Sequence, residues 1–224
     1  MNKDNFDCYA YTGKYALISM LIKEAQAITG GESVTSKMPG GSINTHPIAC
    51  NVGSKLRKVP GSVCEDCYAW KGRYAFDNTQ NAMMRRLRAL THYRWVPAMV
   101  RLVSRHKVPF FRWDDAGDLQ DMSHLIRIVA VAMLTPNVRH WVPTHEYGLM
   151  TRYLRAGGHI PANLVIRESA PMVDGAPPTK NGLPTSTVVT DGTATCPAPT
   201  QGGECGDCRD CWNPTVQNVA YSKH

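Results

Sequence analysis

The chain has 224 residues, a formal net charge of +7, 43% hydrophobic residues and eight cysteines. That length supports a single domain with a sizeable core, and the composition excludes wholesale disorder. No apolar run reaches the ~20 residues of a membrane span, and residues 1–15 lack the basic-then-apolar layout of a secretory signal. We therefore expect a chain held in a reducing cytoplasm, with no membrane partner and with cysteines that hold metal rather than disulfides.

Ala16, Leu17, Met20, Leu21, Ala25 and Ile28 recur at helical spacing, which predicts a helix over 13–28, ended by Gly30 and Gly31. Cys8, in the polar segment before it, stands apart from the other cysteines and reads as a lone thiol. Residues 37–76 are rich in Gly, Pro and Ser and poor in helical pattern. A loop of that length inside a compact domain is uncommon unless it has a task. Cys50, Cys64 and Cys67 give it one, because the two-residue spacing of the last pair lets both sulfurs face one centre.

A helical stretch follows over 77–106, which Pro97 is expected to break. Residues 108–113 read as a buried strand running into the acidic turn Asp114, Asp115 and Asp118, with Asp118 as the N-cap of a helix over 118–134. A strand over 138–145, a helix over 146–156 and a strand over 163–167 come next. After a Pro- and Gly-rich excursion, residues 186–190 form a further strand, and 216–224 can supply one more. Alternating strands and helices at short spacing indicate right-handed βαβ units in a parallel sheet. The expected fold is α/β, an incomplete (half) TIM-like parallel βα barrel with cysteine-rich metal-binding loops. One domain covers 1–224: an N-terminal helical segment (1–36), a cysteine-rich loop (37–76), a βα core (77–190) and a C-terminal cysteine-rich metal-binding segment (191–224).

Ligands of parallel α/β sheets sit where the βα loops gather, at the carboxyl ends of the strands. Polar residues collect at those predicted ends: Asp114, Asp115 and Asp118 after the first, Thr144, His145 and Glu146 after the second, Arg167, Glu168 and Ser169 after the third, and Cys196 just beyond the fourth. Arg112, Asp114, Asp115, His145 and Glu168 are the pocket candidates, for an unidentified small-molecule substrate or electron donor.

The last strand leads into Cys196, followed by Cys205, Cys208 and Cys211. Thiolates are soft ligands suited to zinc or to iron–sulfur clusters. Zinc modules pair CxxC with CxxC, whereas a third cysteine at the same spacing is more like a ferredoxin run. We read iron–sulfur, one or two 4Fe–4S clusters, with zinc as the alternative. Cys50, Cys64 and Cys67 stand one ligand short of four and would leave a position open for chemistry; the C-terminal four form a closed set. A mixed set around one centre stays open. His224 reads as a chain end rather than a ligand.

The positive charge concentrates in Arg85, Arg86, Arg88, Arg94, Arg101, Arg105 and Lys107. A basic helix face binds phosphate electrostatically, and a solvated outer face has the same pattern. A binding protein that engages nucleic acid or a host protein through this helix is therefore the alternative to a redox or cluster-dependent enzyme.

Two resemblances add to this reading. KMPGGSINTHPIAC, GSVCEDCYAWKGRY, FRWDDAGDL, HWVPTH, IRES, CGDCRDCW and VAYSKH together resemble the phage gene product 88 family, from Lys37 to His224. That resemblance implies a phage-encoded protein of the bacterial host cytoplasm and no particular activity. A cysteine pair followed by Tyr at the start of a βα pattern also resembles radical S-adenosylmethionine enzymes with C-terminal auxiliary clusters. This second resemblance implies a barrel-like fold and a three-cysteine 4Fe–4S cluster whose open iron binds S-adenosylmethionine. The chain departs from it in lacking CxxxCxxC, since Cys50 lies too far from Cys64, and in lacking a clear glycine-rich cofactor motif.

Overall fold

The computed structural model describes residues 20–35 and 37–223. Cys8 and His224 lie outside them, as does the first part of the helix expected over 13–28. The described part of that helix is α1 (Ile22–Thr29). Gly30, at φ 80°, closes it in the left-handed conformation that glycine adopts without strain.

Among the described residues seven strands form one open sheet in strictly sequential order: β1 (Ser33–Val34), β2 (Gly41–Ser42), β3 (Phe110–Arg112), β4 (Arg139–Thr144), β5 (Leu164–Ser169), β6 (Thr185–Val189) and β7 (Asn218–Ser222). Only the β1–β2 pair is antiparallel; every other neighbouring pair is parallel. The fold is thus mixed α/β with a mostly parallel sheet. The short strand β2 emerges from the segment expected to be loop. Two residues of GGSIN carry no periodicity to reveal a strand, and only pairing with Phe111 and Arg112 makes one.

The period-2 alternation of the strands divides the sheet into two faces. Phe111, Val142, Leu164 and Ile166 point into the main core. There they meet α4 (Trp95–Val103), α5 (Met122–Leu134) and α6 (Tyr147–Arg155), with Trp95, Met99, Leu125, Ile128, Met150 and Tyr153 buried between. Each such large apolar side chain is worth about 1.5–3 kcal/mol when fully buried. Phe110 and Trp141 point to the other face, where Cys211, Trp212 and Val219 cover them. Helices therefore clothe one face, and the C-terminal cysteine segment clothes the other.

Two expectations are corrected. Pro97 does not break its helix: it occupies the third position of α4, in the first turn, where an amide has no intrahelical acceptor to lose. The break falls instead between α3 (Asp77–Ala89) and Trp95. Nor does Asp118 cap the next helix. Asp121 does, its carboxylate accepting from the His124 amide at 2.8 Å, which leaves Asp118 to another role. No helix among the described residues is long and apolar enough to cross a membrane.

Candidate functional site

The upstream cysteine loop is fastened to the carboxyl ends of β3, β4 and β5. Cys50 precedes the short helix α2 (Asn51–Leu56). The Val52 amide donates to Glu146 Oε1 at 2.9 Å and Asn51 Nδ2 donates to the Gln120 carbonyl at 3.0 Å, which docks this helix on the loops after β4 and β3. The segment before Cys64 pairs with the chain after β5: the Val63 amide donates to the Pro171 carbonyl at 3.0 Å, and the Val173 amide to the Gly61 carbonyl at 2.9 Å. Tyr68, next to Cys67, donates its hydroxyl to the Asp115 carbonyl.

These contacts bring the three thiols together. A Cβ at Gly53 would stand 3.2 Å from Cys50 Cβ, 3.6 Å from Cys64 Sγ and 3.8 Å from Cys50 Sγ. Glycine at this helical position therefore keeps clear a space bordered by two sulfurs. Burial, then the carboxylates of Asp118 and Asp114, then Cys67 and Cys64, push the Cys50 thiol up from its ordinary value. Burial and Cys67 push Cys64 up to about 12. Such thiols are the reverse of activated nucleophiles, which need a lowered value. A coordinated metal cation reverses the effect and deprotonates them outright.

Around this trio lies a set of buried carboxylates whose hydrogen bonds can be counted. Asp115 receives Ser42 Oγ, Asn44 Nδ2 at 2.7 Å and the Tyr74 hydroxyl at 3.2 Å. It is thus the centre of a structural network, extended by Arg86, which donates to Asn44 Oδ1 and the Gly31 carbonyl. Asp118 receives the Leu119 amide at 2.7 Å, the Thr144 hydroxyl at 2.6 Å and the His145 amide at 2.9 Å, and stands 3.8 Å from His145 Nδ1. Glu146 receives Val52. Glu168 receives Asn181 Nδ2 at 2.5 Å on one oxygen, and its other oxygen has no partner.

Asp114 differs from all of these. Its residue is 3% exposed and neither carboxylate oxygen has a hydrogen-bond partner. Its φ of 47° lies in the left-handed region that a non-glycine residue adopts only at a cost of roughly 1 kcal/mol. Burial raises its pKa well above the ordinary carboxylate value, with Asp118 and Asp115 adding to the rise and a weak approach of the Thr45 hydroxyl, too poor in geometry to count as a full hydrogen bond, opposing it. Thr45 Oγ1 and His145 Nε2 are likewise buried without partners. Gly117 makes the close approach of the two loops possible, since a Cβ there would lie 2.0 Å from Thr45 Oγ1.

Of the predicted pocket residues, Asp114 lies close enough to Cys50 to raise its thiol and His145 stands 3.8 Å from Asp118, while Glu168 is engaged by Asn181 and Asp115 is structural. Arg112 points to the other face of the sheet, its guanidinium 4.5 Å over the Trp141 ring and its Nη2 donating to the Tyr68 hydroxyl at 3.4 Å. The C-terminal quartet gathers on that face. The Cys205 amide donates to the Lys37 carbonyl at 2.8 Å and the Cys196 amide to the Ala220 carbonyl at 3.0 Å. Cys211 Sγ lies 3.0 Å from the Tyr221 hydroxyl. Burial raises Cys205, with Cys196 and Cys208 adding to it, and raises Cys211 to about 11. Trp212 Nε1 donates to the Phe111 carbonyl at 3.0 Å and clamps the segment to β3.

Sequence reasoning missed Gly53, Thr45 and the docking role of Glu146. Only Glu146 carried a signal, as a strand-end polar residue. Among the described residues, no group of three or more His, Cys, Asp or Glu side chains is arranged to hold a metal ion. Two open surface hollows, one beside Thr151, Arg155 and Lys180 and one beside Arg85, Arg88 and His92, have no cysteine in their lining.

The basic stretch is largely engaged with the protein itself. Arg86 is buried, Arg94 pairs with Glu24 at 2.8 Å, Arg101 donates to the Met20 carbonyl at 2.8 Å, and Arg105 pairs with Glu32. Arg85, Arg88 and Lys107 are the exposed remainder on that stretch.

The sequence model of the family described as Gene product 88 matches residues 20–214, most of the chain. No curated protein and no solved structure matches it.

Proposed function

This chain belongs to the gene product 88 family, a phage family of unassigned function, and we propose that it is an iron–sulfur protein whose reactive centre is held by Cys50, Cys64 and Cys67. In this reading the site opens onto a polar pocket at the carboxyl ends of β3, β4 and β5, and the chain is a redox or cluster-dependent enzyme of the host cytoplasm. Its substrate or electron donor is a small molecule. The sequential strand order, with helices packed on one face, supports a half-barrel wall rather than a doubly wound sheet, which reverses strand order and carries helices on both faces.

One observation carries the proposal. Every other buried carboxylate near the trio has a donor at good hydrogen-bond geometry, while Asp114 has none on either oxygen and only the Thr45 hydroxyl close by. A buried, unsatisfied carboxylate costs several kcal/mol if charged, and it persists where a ligand supplies the missing partner. The donor set suits the cluster as well. Two of the three soft thiols, those of Cys50 and Cys64, border the space kept by Gly53, and a cluster of several irons accepts thiolates spaced more widely than a single ion does. When bound, the cluster supplies one-electron chemistry at an iron left open by three-cysteine ligation. The residues of this chain hold it, bury it, and present Asp114, Thr45, His145 and Glu168 to whatever binds beside it.

The test is iron and acid-labile sulfide per chain in anaerobically purified protein, with the Cys64→Ser, Cys67→Ser double variant for comparison. Loss of part of the iron and sulfide in the variant is the expected result. Zinc without sulfide in the wild type overturns the reading. A spectral change of the cluster on adding S-adenosylmethionine identifies the open position with that cofactor, and no change points to another small ligand.

A further inference from the structure

The surroundings of the two cysteine groups leave opposite kinds of polar atom unsatisfied. Near the upstream trio the orphans are mainly acceptors. Near the C-terminal quartet they are donors. The indole N–H of Trp141 and Nε of Arg112 are both buried without a partner. Trp141 packs in the same cluster as Cys211 and Cys196, and Arg112 lies over its ring at 4.5 Å.

A second arginine stands behind the quartet. Arg167 is fully buried on β5, and each of its five N–H groups meets a backbone carbonyl. Nε donates to Cys211 at 3.1 Å, Nη1 to Thr185 at 3.2 Å and Val216 at 2.9 Å, and Nη2 to Asp210 at 2.6 Å and Asn213 at 2.9 Å. Five carbonyls satisfy its hydrogen bonds and supply no net negative charge. Among the described residues no carboxylate pairs with it at ion-pair distance. The Asp210 carboxylate acts on it only from beyond that distance, and a buried guanidinium without a close counter-charge costs several kcal/mol. Tyr221 completes the set, its hydroxyl 3.0 Å from Cys211 Sγ.

We propose that the C-terminal quartet encloses a centre of net negative charge, balanced by Arg112 and Arg167 and hydrogen-bonded by Trp141 and Tyr221, which together hold its reduction potential up. The proposal rests on the iron–sulfur reading above. Four thiolates around an iron–sulfur core make an anion, and reduction makes it more negative. Nearby positive charge and hydrogen bonds to sulfur therefore favour the reduced form. Arg112 and Arg167 are positioning residues here, acting on the centre through charge rather than by ligation.

The test is an EPR-monitored potentiometric titration of the iron-loaded full chain carrying Cys64→Ser and Cys67→Ser, so that the C-terminal signal is read alone. Arg112→Gln, Arg112→Lys and Trp141→Phe are added in turn; Arg167→Met is avoided because it strips five carbonyls of their donor. The expected result is unchanged iron content with a potential shifted to more negative values in Arg112→Gln, a smaller shift of the same sign in Trp141→Phe, and recovery in Arg112→Lys. Unchanged iron with an unchanged potential in Arg112→Gln overturns this proposal and leaves the iron–sulfur reading standing. Absence of iron and sulfide from the wild-type chain overturns both.

Discussion

The Val52 amide donates to Glu146 Oε1 at 2.9 Å, and this bond joins the helix that follows Cys50 to the loop after β4. It links one arm of the cysteine trio to the strand ends that carry Asp118 and His145. Glu146→Ala removes the acceptor and leaves the Val52 amide unpaired. The expected cost is about 1–2 kcal/mol in urea unfolding, with lower iron retention at the trio. Glu146→Gln keeps an acceptor and should retain most of both. Equal iron retention in the two variants removes this tether from the account of the site.

Gly53 gives a prediction whose sign separates two explanations. In a helix, Ala is favoured over Gly by about 1 kcal/mol. If the position is only structural, Gly53→Ala stabilises the metal-free chain and leaves metal binding alone. With the added methyl 3.6 Å from Cys64 Sγ and 3.2 Å from Cys50 Cβ, we expect iron per chain to fall while metal-free stability holds or rises. Iron assay and thermal unfolding on the same preparations decide.

Asp114 should behave as a residue kept for a ligand at the expense of stability. Its folded pKa is raised by burial, so it keeps its proton where the unfolded chain has released it. Its contribution is fully present below about pH 3.9 and is lost as pH rises towards the folded value. Asn tolerates the left-handed backbone and carries no charge. Asp114→Asn should therefore stabilise the metal-free chain at pH 7 to 8 by on the order of 1–3 kcal/mol and change little near pH 4. Loss of stability at pH 8 in the variant contradicts the assignment.

His140 works in the opposite direction. It is fully buried; Trp113 Nε1 donates to its Nδ1 at 3.2 Å, and its Nε2 lies 2.8 Å from Thr135 Oγ1, whose own proton goes to the Val131 carbonyl at 2.7 Å. This chain of donors requires the neutral ring with its proton on Nε2. Burial accordingly lowers its pKa to about 3. A depressed histidine stabilises the fold above its unfolded pKa of about 6.5, and that stability is lost as pH falls towards the folded value. His140→Gln should flatten the acid limb of the stability profile between those two pH values, at a cost near neutrality of about 1–2 kcal/mol. An acid limb of unchanged slope contradicts it.

The basic stretch can be tested by separating its buried member from its exposed ones. Arg86 is 7% exposed and joins Asn44 to the Gly31 carbonyl. Arg86→Ala should cost about 2–4 kcal/mol, through unpaired groups in the Asp115 network. Arg85→Ala with Arg88→Ala should stay within about 0.5 kcal/mol. If the exposed pair engages nucleic acid, that double variant also lowers salt-sensitive retention on DNA or RNA; unchanged retention removes the electrostatic partner from this helix.

The sequence by itself determined the parallel βα pattern, the division of seven cysteines into two groups, and the strand ends where polar residues converge. Those features rest on local spacing: apolar periodicity, two-residue cysteine turns, and the Gly and Pro residues that end elements. Where the local signal was short or ambiguous, only the tertiary structure decided. It made a strand of Gly41–Ser42 because Phe111 and Arg112 offered backbone partners. It moved the helix cap from Asp118 to Asp121 because Asp118 is held by Thr144 and His145 from β4 and the loop after it. Most of all, it separated the carboxylates. Asp114 and Asp115 are adjacent in sequence and chemically alike, yet one is saturated with donors and the other has none. Hydrogen-bond satisfaction depends on neighbours from β2, the chain just after it and the segment before α3, and no spacing rule within a single chain segment can count them.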